Sequence, residues 1–419
     1  MTDLRRRTKA PVPISPSQPP LRGVVRATLA LFAGLVVTLT VLVGLVQPDR
    51  PRGQPYLTGP AWLDGWIQYD SGWYWSIASV GYSYTPGQQS PIAFFPTYPL
   101  LVRGVAAVVG DVQIAGMALT VVAGGAALAL FAAWVWTRLP AASARTAIIL
   151  LLLYPYAFFL YGTMYADAVF LLSAIGAFVL LERGHPWLAG LVGILATAGR
   201  PVGIAVTVGL VVRLLEMRAE ARVPAAAAEG AQAYRPRPVP FRALVEAVRT
   251  VRFRDGGVLV SVAGLLAWCV YLATTFGNPL AFLAAEAAPG WDQGSGPRTW
   301  FKIALLYQIH GRVLDLVAIL SVQALMCLAA VLLMRRVWRR FGWGYLAYVL
   351  VVIGIPLIGT KDFMGTGRYL IAAFPVFAAA GDALARSSHV RWLRPAILVL
   401  FGVGLVAGTI LYARGYEVS

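Results

Sequence analysis

An all-α polytopic membrane protein is the fold class this sequence predicts, on three observations. Of its 419 residues, 59% are hydrophobic and only 13% charged, against about 45–50% and about 25% in an ordinary soluble domain. Mean hydropathy is +0.71. Apolar runs of about 20 residues, each enough to cross a bilayer core, recur from residue 24 to residue 413. These observations exclude a soluble enzyme, an isolated DNA-binding domain and a disordered chain. They make 24–413 a single integral-membrane unit, between a basic, Pro-rich tail over 1–23 and a short tail over 414–419.

The elements follow in order. Arg5, Arg6, Arg7 and Lys9 precede a proline-rich stretch to Pro20, and then the run Val24–Val46 is too long for a signal-peptide core and lacks a small-residue cleavage site, so it reads as a retained anchor. Further spans are expected over 112–137, 146–162, 165–182, 257–277, 312–334, 343–359, 368–385 and 395–413. Residues 187–214 are interrupted by Gly199-Arg200-Pro201 and read as one long helix or two short ones, while 92–110 either spans or lies on the surface. Charge arbitrates, because Lys and Arg concentrate in cytoplasmic loops. With the N-terminus inside, 92–110 at the outer interface and 187–214 a broken pair, a single side receives Arg138, Arg145, Arg183, the basic loop 215–256, Arg335, Arg336, Arg339, Arg340 and Arg386 to Arg394. The result is roughly eleven spans in the cell membrane, an outward C-terminus, and outer loops over 47–111 and 278–311. The formal charge of +17 is thus an orientation signal rather than a nucleic-acid footprint. Cys269 and Cys327 both lie in apolar segments, where simple packing is the expectation.

The first outer loop carries the chemistry-bearing residues. Between Trp62 and Tyr82 it is crowded with aromatic and small residues, which an interfacial aromatic belt with surface helices would explain. It does not explain Asp70, set between Tyr69 and Trp73, because an ionised carboxylate in so apolar a setting needs a partner or a task. Asp64-Gly65 reads equally well as a turn. Asp167 opens a span near the outer face, where a helix-start acid serves capping or catalysis. Arg200 and Arg368 fall at outer ends of spans, suited to a phosphate or to snorkelling. In the second outer loop Trp291 offers a stacking face beside Gln293 and Glu286. Lys361 and Asp362 read as a solvated pair, and His310 as a packing residue.

Tyr69-Asp70, Tyr74, Ile77-Ala78, Gly81-Tyr82 and Ala93-Phe94-Phe95-Pro96-Thr97-Tyr98-Pro99-Leu100 together resemble the first-loop signature of the PIG-V-type mannosyltransferases. Further patches match in the same order: Tyr154-Pro155 to Phe159, Tyr165-Ala166-Asp167, Gly199-Arg200-Pro201-Val202-Gly203, Gly277-Asn278-Pro279-Leu280, and Arg368-Tyr369 with Phe374-Pro375. The chain departs from that family in having Gln68-Tyr69 before the aspartate, where Arg-Trp is frequent, and a neutral run from Thr85 to Pro91. The resemblance implies a GT-C-like fold and transfer of mannose, with inversion, from a polyprenyl-phosphate donor to a glycolipid or cell-surface glycan. On residue chemistry, Asp70 is the candidate base, assisted by Asp167. Arg200 and Arg368 would meet the lipid phosphate, and Tyr69, Trp73, Tyr74, Tyr82 and Trp291 would shape the sugar site. No phosphate-binding Gly-rich loop, His-Glu-x-x-His or Asp-x-Asp pair is present, so no cofactor or metal is expected. The competing class is a transporter or lipid flippase, which would line a midplane path with its charges.

Overall fold

The structure, a computed structural model, describes residues 19–49, 54–222, 238–386 and 392–418. Most of the 1–23 tail and the centre of the 215–256 loop lie outside the described residues. Those described form helices and 3-10 turns, with no strand among them.

α1 (Leu21–Val46) leads through a 3-10 turn at Ala61–Trp66 to α2 (Asp70–Ser79) and α3 (Thr97–Val109). The 13 residues of α3 give about 20 Å at ~1.5 Å per residue, short of the ~30 Å hydrocarbon core. Residues 97–109 pack against α2 and α4. Gly110, in the left-handed region at φ 83°, ends α3, and the Asp111 carboxylate then accepts the Ile114 N–H at 2.7 Å to start α4 (Val112–Trp136). The expected span over 146–162 is not one helix. α5 (Ala141–Leu152) stops ahead of Pro155, which has no N–H to continue it, and a 3-10 turn at Ala157–Leu160 follows. α6 (Asp167–Glu182) is followed by α7 (Pro186–Thr197) and α8 (Ile204–Glu220), so 187–214 is a broken pair, interrupted where Gly199-Arg200-Pro201 stands.

After α9 (Phe241–Ala247), a 3-10 segment Phe253–Val262 continues into α10 (Ala263–Phe276). Three short helices, α11 (Ala281–Glu286), α12 (Pro297–Trp300) and α13 (Ile303–His310), form the second loop. α14 (Leu314–Phe341) turns sharply into α15 (Trp343–Gly359) at Gly342, φ 94°, where any Cβ would run into the Glu216 carboxylate that accepts the Trp343 N–H at 2.9 Å. α16 (Thr366–Tyr369) and the following 3-10 turn meet α17 (Phe374–Arg386) at an angle of 85°, and α18 (Leu393–Ala413) closes the chain.

Among the described residues five helices are long and apolar enough to cross a membrane, α1, α4, the α10 segment, α14 and α18, and the bent α16–α17 pair would make a sixth. The sequence reading of about eleven spans counts every apolar run. The other runs became helices of 12 to 17 residues, α5, α6, α7, α8 and α15, each shortened by a break. They supply much of the core: α6 is buried from Asp167 to Leu181 on nearly every side, as a helix apolar all round requires.

Successive apolar segments run between two ends. At one end the first loop lies against the starts of α4 and α6 and the end of α18. At the other, Arg138 and Arg213 hold Glu182, Arg213 also reaches Glu216 at 2.7 Å, Arg218 pairs with Asp255, and three arginines surround Asp382.

Candidate functional site

The site is built where α2 begins. Tyr69 adopts φ 49°, a conformation costly for a bulky aromatic residue, and its surroundings fix it. Its Oη donates to the Gly415 carbonyl at 2.5 Å, and Gln68 Nε2 donates to the Ala413 carbonyl at 3.1 Å, so the end of α18 holds the approach to α2. The Gln68 carbonyl faces the hydroxyls of Tyr165 at 3.4 Å and Tyr412 at 3.3 Å. Tyr165 Oη also accepts the Asp70 N–H at 3.1 Å. At the far end of α2, Arg103 donates from Nε and Nη2 to the carbonyls of Ala78 and Ile77, both at 2.7 Å. The helix is thereby clamped at both ends, which fixes the backbone position of Asp70.

The Asp70 carboxylate accepts from Arg368 Nη1 at 2.9 Å. Arg368 lies over the rings of Tyr165, Phe159 and Tyr369 at 5.0, 5.4 and 5.7 Å, and its Nε is buried without a hydrogen-bond partner. Behind Tyr369, whose ring is 4.5 Å from the Arg200 guanidinium, Arg200 is ion-paired with Asp167. One ring therefore separates two carboxylate–guanidinium pairs. Side-chain exposure distinguishes them: 27% for Asp70 and 11% for Arg368, against 3% for Asp167 and 7% for Arg200.

The four charged residues singled out from sequence thus come together, but in pairings the sequence does not specify. The candidate base and a candidate phosphate ligand are bonded to each other, and the other two close on themselves. Among the aromatic candidates, Trp73 stacks on Phe94 at 5.9 Å and meets Trp291 edge-on at 5.8 Å, so the first and second loops join at these rings. Tyr74 is buried against Tyr98 and Tyr165. Tyr82 packs on Trp268 at 4.8 Å and donates to the Phe94 carbonyl at 2.9 Å, supporting the Trp73–Phe94–Trp291 cluster from the rear.

The second loop is tied down beside the site. Lys302 is buried, and its Nζ donates to Thr360 O at 2.7 Å and contacts Thr360 Oγ1 at 3.0 Å; burial pushes its pKa down to about 8. Lys361 reaches the Gly290 carbonyl at 2.7 Å and Asp292 at 3.2 Å, whereas Asp362 is buried and accepts the Met364 N–H at 2.8 Å. Lys361 and Asp362 are therefore not the solvated pair that their adjacency suggests, because the turn sends them to opposite partners. Glu286 makes no hydrogen bond or ion pair through its carboxylate among the described residues, and burial pushes its pKa up to about 7. Asp64 is buried in the Ala61–Trp66 turn with Gln113 Nε2 at 3.4 Å, and His310 is exposed. Both cysteines are free thiols, and no three His, Cys, Asp or Glu side chains gather to hold a metal among the described residues.

Sequence reasoning missed Lys302, Arg103 and Tyr412 as site supports. Only Tyr412 left a trace, as an aromatic residue at the outer end of the last span.

No family model matches this chain, and no curated protein does. Among solved structures it is similar to the apo oligosaccharyltransferase of Archaeoglobus fulgidus, at TM-score 0.42 and 12% identity over 91% of this chain and 55% of that one. The oligosaccharyltransferase AglB of the same organism, in complex with an inhibitory peptide and a dolichol-phosphate, gives TM-score 0.37 and 12% identity over 92% and 56%. The chain spans just over half the length of the solved structures it matches.

Proposed function

We propose that this protein is a membrane glycosyltransferase of the GT-C class. On this reading it transfers a sugar, mannose by the family resemblance, from a polyprenyl-phosphate donor to a glycolipid or cell-surface glycan at the outer face. The observation that carries the reading is the partly exposed Asp70–Arg368 pair, with its 2.9 Å contact and with Asp70 on the same short helix as Trp73, whose ring meets Trp291 edge-on at 5.8 Å.

The residues divide the work as follows. An acceptor hydroxyl attacks the anomeric carbon, and the bond from that carbon to the phosphate oxygen breaks. Asp70 takes the hydroxyl proton as the new bond forms. The departing lipid phosphate leaves with the electron pair and gains negative charge, which Arg368 meets with permanently charged donors, its free Nε–H among them. Since Arg368 now holds Asp70, a phosphate arriving at Arg368 competes with that carboxylate and frees it to act as a base. Asp167 and Arg200 form the back pair: behind Tyr369, Arg200 contributes a positive field and helps to fix the ring against which Arg368 lies. Trp73 and Trp291 offer faces for the sugar, with Tyr69, Tyr74 and Tyr82 holding that surface in place.

The test is transfer of radiolabelled mannose from synthetic polyprenyl-phosphate-mannose to endogenous lipid, in membranes holding wild type or Asp70→Asn at matched levels. Transfer by wild type and loss in the variant is the expected outcome. A folded Asp70→Asn protein with full activity would remove the mechanism.

A further inference from the structure

We propose that the end of the molecule opposite Asp70 carries a second anion site, a clamp of three arginines that takes the phosphate headgroup of a membrane lipid. Asp382, on α17, has no exposed side-chain surface and receives the Nε of Arg336 at 3.1 Å, of Arg340 at 2.8 Å and of Arg386 at 2.7 Å. Ser143 Oγ completes the shell at 3.3 Å, and Arg336 Nη2 also reaches the Asp382 carbonyl at 3.3 Å.

One carboxylate faces three guanidiniums, leaving a surplus of two positive charges. The Nη groups of Arg340 and Arg386 have no hydrogen-bond partner among the described residues. The three side chains remain 34%, 27% and 41% exposed, in the order Arg336, Arg340, Arg386. Asp382 thus works as an internal anchor: it holds the inner edge of each fork and leaves outer N–H groups in a fixed arrangement. A phosphate monoester, carrying close to two negative charges and several acceptor oxygens, complements that arrangement. Positional bias of basic residues toward one membrane face explains why arginines occur here. It does not explain their convergence on one fully buried acid.

The choice of a lipid over a soluble anion rests on α14. Leu325, Leu328 and Leu332 are 64%, 53% and 72% exposed, and at helical spacing they lie on the same face as Arg336 and Arg340. An uncovered apolar stripe on a membrane-spanning helix therefore runs straight into two of the three guanidiniums. Acyl chains would lie along the leucines while the phosphate reaches the arginines, a form of recognition seen in basic pockets between transmembrane helices.

The experiment uses the full-length protein purified in a neutral detergent, with thermal unfolding followed against added phosphatidic acid, phosphatidylcholine or inorganic phosphate. Phosphatidic acid is expected to raise the midpoint, phosphatidylcholine to leave it unchanged, and inorganic phosphate to act weakly if at all. Arg386→Gln alters the most exposed fork and preserves the fold; it should weaken the phosphatidic acid effect roughly tenfold, the loss of one charge-assisted hydrogen bond. Arg242→Gln, on the fully exposed face of α9, should not. Equal stabilisation by inorganic phosphate at matched concentration would overturn the lipid assignment, and an undiminished effect in Arg386→Gln would overturn the site. Neither result depends on glycosyl transfer, so the proposal can fail while the proposed function stands.

Discussion

Two carboxylate–arginine pairs of identical chemistry flank one tyrosine ring, and they differ in how far water reaches them. Asp167–Arg200 is closed, while Asp70–Arg368 is partly exposed through its carboxylate. A closed pair must satisfy itself, because a charge without a partner in that environment is strongly unfavourable, so its geometry admits no exchange of partner. An open pair has a weaker hold on each member, since solvent can replace either. The same ion pair thus serves as a fixed post at one position and as an exchangeable contact a few ångströms away. Burial, rather than residue type, assigns the roles.

Asp70→Asn should show the largest effect, lowering transfer by about 10²–10⁴-fold, the usual worth of a positioned base. Unfolding should change by no more than about 1 kcal/mol, because the pair is partly hydrated. The comparison breaks if the variant instead unfolds early with transfer intact. Asp167→Asn should do the reverse, costing about 3–5 kcal/mol of stability by leaving Arg200 buried and unpaired. A double variant, Asp167→Leu with Arg200→Met, should recover most of that loss while transfer falls only modestly. Thermal unfolding in detergent, read beside the transfer assay, separates the two pairs.

Much of this arrangement could be anticipated from the residues, and the missing part has a physical cause. Asp70 announces itself because a carboxylate amid tryptophans and tyrosines is expensive, and Arg200 because Gly199 and Pro201 place it at a helix break. The contact between Asp70 and Arg368 is not visible in the chain, since 298 positions separate them and only the packing of α16 against Tyr165 and Phe159 brings them together. The fold divides in the same way. Long uninterrupted runs became α1, α4, α14 and α18 as hydropathy indicates, whereas 146–162 did not, because a window average of hydropathy passes over Pro155. The 85° bend before α17 lies inside another such run, next to Pro375, which a window average passes over in the same way.

Tyr369 sharpens the comparison at smaller scale, because its ring is shared by both guanidiniums. Tyr369→Leu removes two cation–π contacts of ~0.5–2 kcal/mol each. Arg368, the less buried of the two, should lose its position first, so the KM for the lipid donor should rise about three- to tenfold while Arg200 keeps its pair with Asp167. Tyr369→Phe should be close to wild type in both respects. If the phenylalanine variant is as impaired as the leucine one, the hydroxyl rather than the ring is what matters.

The smallest effect concerns the second loop, which is tied down beside the open pair. Glu286 stands at about 7, pushed up from 4.5 by burial, and therefore holds its proton more tightly in the folded protein than in the unfolded chain. Between those two values the folded state binds more protons, so stability falls as pH rises through that window and is unaffected by this group below it. Lys302, pushed down from 10.5 to about 8, acts in the opposite sense: there the unfolded chain binds more protons, and stability rises with pH between those values. The second loop should accordingly be held least firmly near pH 7 to 8, where Glu286 has ionised and Lys302 is still largely charged. Hydrogen exchange of residues 281–310 measured from pH 5 to 9 should show a minimum of protection there, and Glu286→Gln should flatten the acidic side of the profile. Asp167 and Arg200 lie behind Tyr369, so their neighbours should show no such dependence. A pH response shared equally by both pairs would mean that the loop does not set the exposure of Asp70.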